Sequence, residues 1–208
     1  MGVNMVGFCI SDDEVCAEAS KQEIIRRYYD ATNKFANGAN NEAEIKKIRM
    51  LFNQAKIDKN YRKVVSAALR RKEETGHTST AIELSDGTII TGGSTPLLGA
   101  SAALLLNTTK YLAGIDHDVK LIPQEMIEPI QKTKVEFLKG RNPRLHTDEV
   151  LVALSVLSES DERCEKALAT LPQLEGCQVH ATVMLSEVDR KIFKKLGINL
   201  TCEPVRKK

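Results

Sequence analysis

No stretch of the 208 residues approaches the roughly 18 uninterrupted apolar residues of a membrane-spanning helix. The nearest candidate, Pro96 to Leu106, is far too short, so no membrane partner is expected. No Cys-x-x-Cys occurs. The five cysteines, Cys9, Cys16, Cys164, Cys177 and Cys202, are odd in number and widely spaced, which suggests neither a zinc ribbon nor a disulfide framework. They read as reduced, buried thiols of a cytoplasmic protein. Met1 to Ile10 lacks a basic start and runs straight into Ser11-Asp12-Asp13-Glu14, which is not the pattern of a signal peptide. No charge sign dominates: 30 Lys and Arg against 28 Asp and Glu leave a net charge of +2, which argues against a general nucleic-acid binder. Gly-Lys-Ser/Thr after a glycine-rich loop, Gly-x-Gly-x-x-Gly and His-Glu-x-x-His are all missing. No metal site is expected, and the cofactor stays open.

What is present is an ordinary globular composition, 42% hydrophobic and 28% charged. A chain of this length buries roughly 70% of its unfolded surface and needs no covalent staples to fold. Three amphipathic helices are expected first. One is capped by Asp12 or Asp13 and ends near Asn37-Gly38, one follows Asn41, and one runs from Asp58 to Thr75-Gly76. At Ser79 the period changes. Ala81 to Leu84 and Thr88 to Thr91 flank Ser85-Asp86-Gly87 as a hairpin. Pro96 then suits the first position of an apolar helix over 97–113, with Ser94 or Thr95 as its cap. Beyond it come a short strand at Val119 to Ile122 and a helix over 123–138 interrupted or kinked at Pro129. Helices from Thr147 and Asp161 follow, then a strand at 178–185, a helix capped at Ser186, and a final strand at 198–202. The expected architecture is mixed α/β: a helical subdomain, residues 1–77, packed on a small sheet subdomain, residues 78–208.

Two segments carry candidate chemistry. The turn Gly92-Gly93-Ser94-Thr95, between strand and helix, offers the N–H groups and hydroxyls of Gly93, Ser94 and Thr95 to a phosphate or carboxylate. The loop Arg141-Asn142-Pro143-Arg144-Leu145-His146-Thr147-Asp148 offers Arg141 and Arg144 for anion neutralisation, with His146, oriented by Asp148, as the proton-transfer group. Ordinary capping and solvation are the alternatives for both segments. His117 and His180 read as structural.

The runs Glu18 to Tyr29, Ser94-Thr95-Pro96, Leu98 to Asn107, Gly140 to Leu151 and Leu196 to Pro204 together resemble a bacterial family of unknown function, numbered eighteen forty-six among domain families. Its members are longer, and the resemblance is to their C-terminal part. What the resemblance implies is a glycine-rich, phosphate-loop-like motif in the N-terminal portion, hence nucleotide binding by the full protein, with that portion as a partner of this chain. Some members carry the label ATP-dependent zinc protease. The motifs that label requires are missing here. Two functions follow: a cleft for a small phosphorylated or carboxylated molecule, or a non-catalytic accessory or homo-oligomerisation module of a longer nucleotide-binding protein.

Overall fold

The Asp12 carboxylate accepts the Val15 N–H at 3.0 Å and starts α1 (Asp13–Ala36), the first element of a computed structural model that describes residues 12–205. Cys9 and the residues of the signal-peptide question lie outside that range. α2 (Glu42–Ala55) packs on α1 through Ala31, Ile45 and Ile48, with Ile24, Tyr28 and Phe52 around them. Asp58 accepts the N–H groups of Asn60 and Tyr61, closing a 3₁₀ turn, Lys59–Tyr61. The chain divides into two compact units, Met1–Lys63 and Val64–Lys208.

α3 (Lys63–Thr75), expected with the helical subdomain, groups with the sheet. The reason is its apolar stripe: Val64, Ala67 and Ala68 bury against Ala81 of β1 (Ser79–Glu83). β1 joins β2 (Ile89–Gly93) across the expected hairpin turn, where Gly87 takes φ of +83° and Asp86 accepts the Thr88 N–H at 2.8 Å. β3 (Gln178–Ala181) pairs antiparallel with β1, and β4 (Asn199–Cys202) parallel with β3, giving the order β2-β1-β3-β4.

Alternation along β1 sends Ala81 to α3 and Ile82 to the other face, which α4 (Ala100–Leu112) covers with Leu104 and Leu105. Gly92 makes that approach possible: a Cβ there would collide with the backbone of Leu104 and, at 2.8 Å, with the Ala100 carbonyl. The opposite side of α4, with Ala102 and Leu106, packs against Val150, Ala153 and Leu154 of α6 (Thr147–Leu157) and Cys164 and Ala167 of α7 (Glu162–Ala169). α5 (Gln124–Lys132) contains Pro129 and continues as a π turn, Thr133–Phe137. α8 (Glu187–Lys195) places Phe193 in the core between sheet and α4.

The described residues therefore form a mixed α/β protein of eight α-helices and one four-stranded sheet, its N-terminal region helical. Among them no helix is long and apolar enough to cross a membrane. Several local expectations fail: the helix expected from Asp58 starts at Lys63, behind the 3₁₀ turn, and the strand expected over 178–185 ends at Ala181. Val119 to Ile122 form no strand, because buried Lys110 instead takes the His117 and Val119 carbonyls through its Nζ, at 2.5 and 3.2 Å. α4 starts at Ala100 with Gly99 at its N-cap, so Ser94, Thr95 and Pro96 precede the helix rather than cap it.

Candidate functional site

Residues 94–99 form a loop whose polar groups are held by bonds within it and to Thr78. The Ser94 N–H donates to the Thr78 carbonyl at 2.8 Å, and the Ser94 hydroxyl accepts from the Thr78 hydroxyl at 2.8 Å. The Thr95 hydroxyl accepts the N–H groups of Leu97 and Leu98, and the Thr95 N–H donates to the Leu98 carbonyl. These donors were the ones expected to face an anion. Gly93 lies at the end of β2, where an added Cβ would meet nothing.

This loop meets the second segment. Leu98 and Leu145 form a parallel bridge, the Leu145 N–H donating to Leu97 and the Gly99 N–H to Leu145. The Arg144 Nε donates to the Thr95 carbonyl at 2.7 Å. The two candidate segments are neighbours, joined by Arg144, while Arg141 stands exposed on the same loop.

His146, not Thr147, is the N-cap residue of α6; its N–H donates to Glu149 Oε2 at 2.7 Å. That carboxylate also pairs with Lys134 Nζ at 2.7 Å, and Lys134 donates in turn to the Arg144 carbonyl at 2.6 Å. The loop is thus clamped from the π turn.

The carboxylate that orients the imidazole is Asp189, from the first turn of α8, 43 positions further along the chain. Asp148, the expected orienter, carries a buried Oδ1 with no hydrogen-bond partner. Asp189 Oδ1 accepts the Thr147 N–H and hydroxyl, each at 3.0 Å. Its Oδ2 accepts the Ser186 hydroxyl at 2.8 Å and lies 3.1 Å from His146 Nδ1. A carboxylate only accepts, so Nδ1 carries the proton and donates. Ser186 Oγ is 3.4 Å from the same nitrogen, and on the other edge of the ring Nε2 lies 3.4 Å from Asn142 Nδ2.

The electrostatics follow from these contacts. The hydrogen bond to Asp189 raises the His146 pKa above its ordinary value against the effect of burial. The charges of Asp189 and Glu149 help, and Lys134 opposes. Burial pushes the Asp189 carboxyl up, but the bonds from His146, Thr147 and Ser186, with the imidazolium charge, outweigh it and hold Asp189 below the usual range. Asp189 is 6% exposed, whereas the His146 side chain keeps 26% of its surface open. A buried acid thus stands behind an accessible base.

Sequence reading missed Asp189 because Ser186-Glu187-Val188-Asp189 looks like a capping box. The forward half of the box is made, Asp189 N–H to Ser186 Oγ at 3.1 Å, but the carboxylate turns to His146 and Thr147. His180, read as structural, is fully buried in β3 with Nδ1 2.9 Å from the Thr201 hydroxyl. A cavity of about 340 Å³ lined by Leu171, Pro172, Glu175 and residues 194–197 sits at the opposite end of α8 from Asp189. Among the described residues no group of three or more His, Cys, Asp or Glu is placed to hold a metal.

Comparison with known proteins places this geometry in a family context. Residues 60–208 match the domain of unknown function DUF1846, C-terminal, and residues 1–56 match its N-terminal counterpart. The likeness is therefore not confined to the C-terminal part, as the sequence alone suggested. A UPF0371 protein of Corynebacterium aurimucosum is 51% identical over 205 residues, covering 99% of this chain and 41% of its own length. UPF0371 protein str1377 of Streptococcus thermophilus is 47% identical over 98% of this chain and 41% of its own. A UPF0371 protein of Streptococcus pneumoniae is 45% identical over the same shares. The chain spans about two-fifths of the length of these curated relatives.

Proposed function

This chain belongs to the DUF1846 family, and we propose that His146 and Asp189 form a proton-transfer centre for a small phosphorylated or carboxylated molecule neutralised by Arg141 and Arg144. The observation that carries the reading is the buried Asp189 behind the accessible His146. Proton transfer needs an imidazole fixed in one tautomer with its second nitrogen open to the substrate. Asp189, itself held by Thr147 and Ser186, fixes Nδ1–H, so that Nε2, whose protein neighbour is Asn142 Nδ2 at 3.4 Å, is the nitrogen that exchanges protons. Ser94 and Thr95 serve as the wall to which Arg144 is tied, and Gly93 leaves room for a ligand near the end of β2. The nucleotide-binding character of the longer protein and its cytoplasmic setting are part of the same proposal.

The test is thermal denaturation against nucleotides, phosphate esters and small polycarboxylates. A ligand present at 100 times its dissociation constant stabilises the chain by about 2.7 kcal/mol. That gain disappears in Arg141→Ala, whose side chain is exposed, while the unliganded melting temperature stays unchanged. No shift across the panel overturns the reading.

A second reading, a non-catalytic accessory or oligomerisation module, draws on a separate observation. The N–H and hydroxyl groups of Ser94 and Thr95 are engaged locally, and Asp189 already supplies the anion at the N-terminus of α6.

A further inference from the structure

Phe137 and Leu138 are adjacent, apolar, and 71% and 74% exposed. They end the π turn that follows α5. On α6, Val152 and Val156 are 64% and 60% exposed. Single exposed apolar side chains are ordinary, whereas grouped ones mark a surface that another polypeptide covers.

One ion pair links the two apolar pairs. Glu149, Val152 and Val156 share a face of α6 by their spacing of three and four. Glu149 is bound at 2.7 Å to Lys134, inside the π turn that presents Phe137 and Leu138. The turn is closed tightly: the Gly140 N–H donates to the Lys134 carbonyl at 2.8 Å, and a Cβ on Gly140 would stand 2.8 Å from that oxygen. Phe137 and Leu138 therefore project from a bonded turn rather than a frayed end.

We propose that this face docks the polypeptide that the longer DUF1846 relatives carry beyond the stretch matched here. The proposal deepens the second reading above and does not depend on catalysis by His146. Two observations select the occupant. Nearly all of this chain matches each relative while 41% of the relative is accounted for, so most of the relative's chain has still to find its place against this one. Between the two apolar pairs Lys134 and Glu149 neutralise each other, and the exposed Glu136, Lys139 and Arg141 beside Phe137 and Leu138 are of mixed sign. An apolar surface flanked by charges of mixed sign fits an intrachain contact better than a partner of strong single-sign charge.

The probe is the remaining polypeptide of the Corynebacterium aurimucosum relative, produced separately and mixed with the 208-residue chain. Sedimentation is expected to show a one-to-one complex. Phe137→Asp and Val152→Asp should each weaken it about tenfold, a typical loss at an interface anchor, without moving the melting temperature of the chain alone. Equal binding by the aspartate variants, or no complex with a folded probe, overturns the proposal. So does self-association of the chain that Val152→Asp abolishes, which assigns the face to a second copy. If the probe does not fold alone, hydroxyl-radical labelling of a chimera decides. There this chain replaces the matched stretch of the relative, and the four side chains should be labelled several-fold less than in the isolated chain. Equal labelling overturns the proposal.

Discussion

Asp189 Oδ2 stands 3.1 Å from His146 Nδ1, and through that contact the first turn of α8 is tied to the N-cap of α6. The same carboxylate takes the Thr147 N–H and hydroxyl and the Ser186 hydroxyl. One buried side chain thus joins two helix starts and holds the half-open His146 imidazole between them.

Replacing Asp189 with Ala leaves Thr147, Ser186 and His146 donors facing a hole. Breaking a buried, multiply bonded carboxylate costs about 3 kcal/mol. Urea unfolding should show a lower midpoint with unchanged slope. A loss within about 0.5 kcal/mol, the range of ordinary surface changes, would show that Asp189 is held less firmly than its bonds indicate.

The pair should also write itself into the pH dependence of stability. The His146 pKa is raised on folding, so its contribution is fully present below the unfolded value and is lost as pH rises through the folded one. Asp189 is depressed, so its contribution is present above its unfolded value and is lost as pH falls through the folded one. The stability difference between wild type and His146→Asn should be largest between these two limits and shrink on the alkaline side. Chemical denaturation across pH 4 to 9 measures it. A difference that grows with rising pH would refute the assignment.

Gly92 and Gly93 should respond in opposite ways to the same substitution. A Cβ at Gly92 meets backbone atoms of Leu104 and Ala100, which cannot rotate aside, so Gly92→Ala should cost about 2 kcal/mol or more. A Cβ at Gly93 meets nothing, so Gly93→Ala should stay within about 0.5 kcal/mol. Comparing the two melting temperatures checks the close approach of α4 to β2.

The fold was legible wherever one local rule acted alone. Asp12, Asp161 and Ser186 cap as their sequence context indicates, and Asp86-Gly87 turns the hairpin. It was not legible where a distant group intervened. Ser94 and Thr95 look like a helix cap, but the Leu98–Leu145 bridge draws out the residues behind them and delays the helix to Ala100. Val119 to Ile122 have strand composition, yet Lys110 claims the carbonyl of Val119. The same holds for the candidate site. His146 was readable as the one histidine on a basic loop, whereas Asp189 was hidden in a capping pattern whose second function appears only when α6 and α8 meet.

The most direct test is a titration of the His146 imidazole by NMR, in the wild type and in Asp189→Asn. The account predicts a wild-type pKa above the ordinary value of about 6.5, with Nδ1 protonated throughout, falling when Asp189 is neutralised. A wild-type pKa at or below the ordinary value, or one that Asp189→Asn leaves in place, would contradict it.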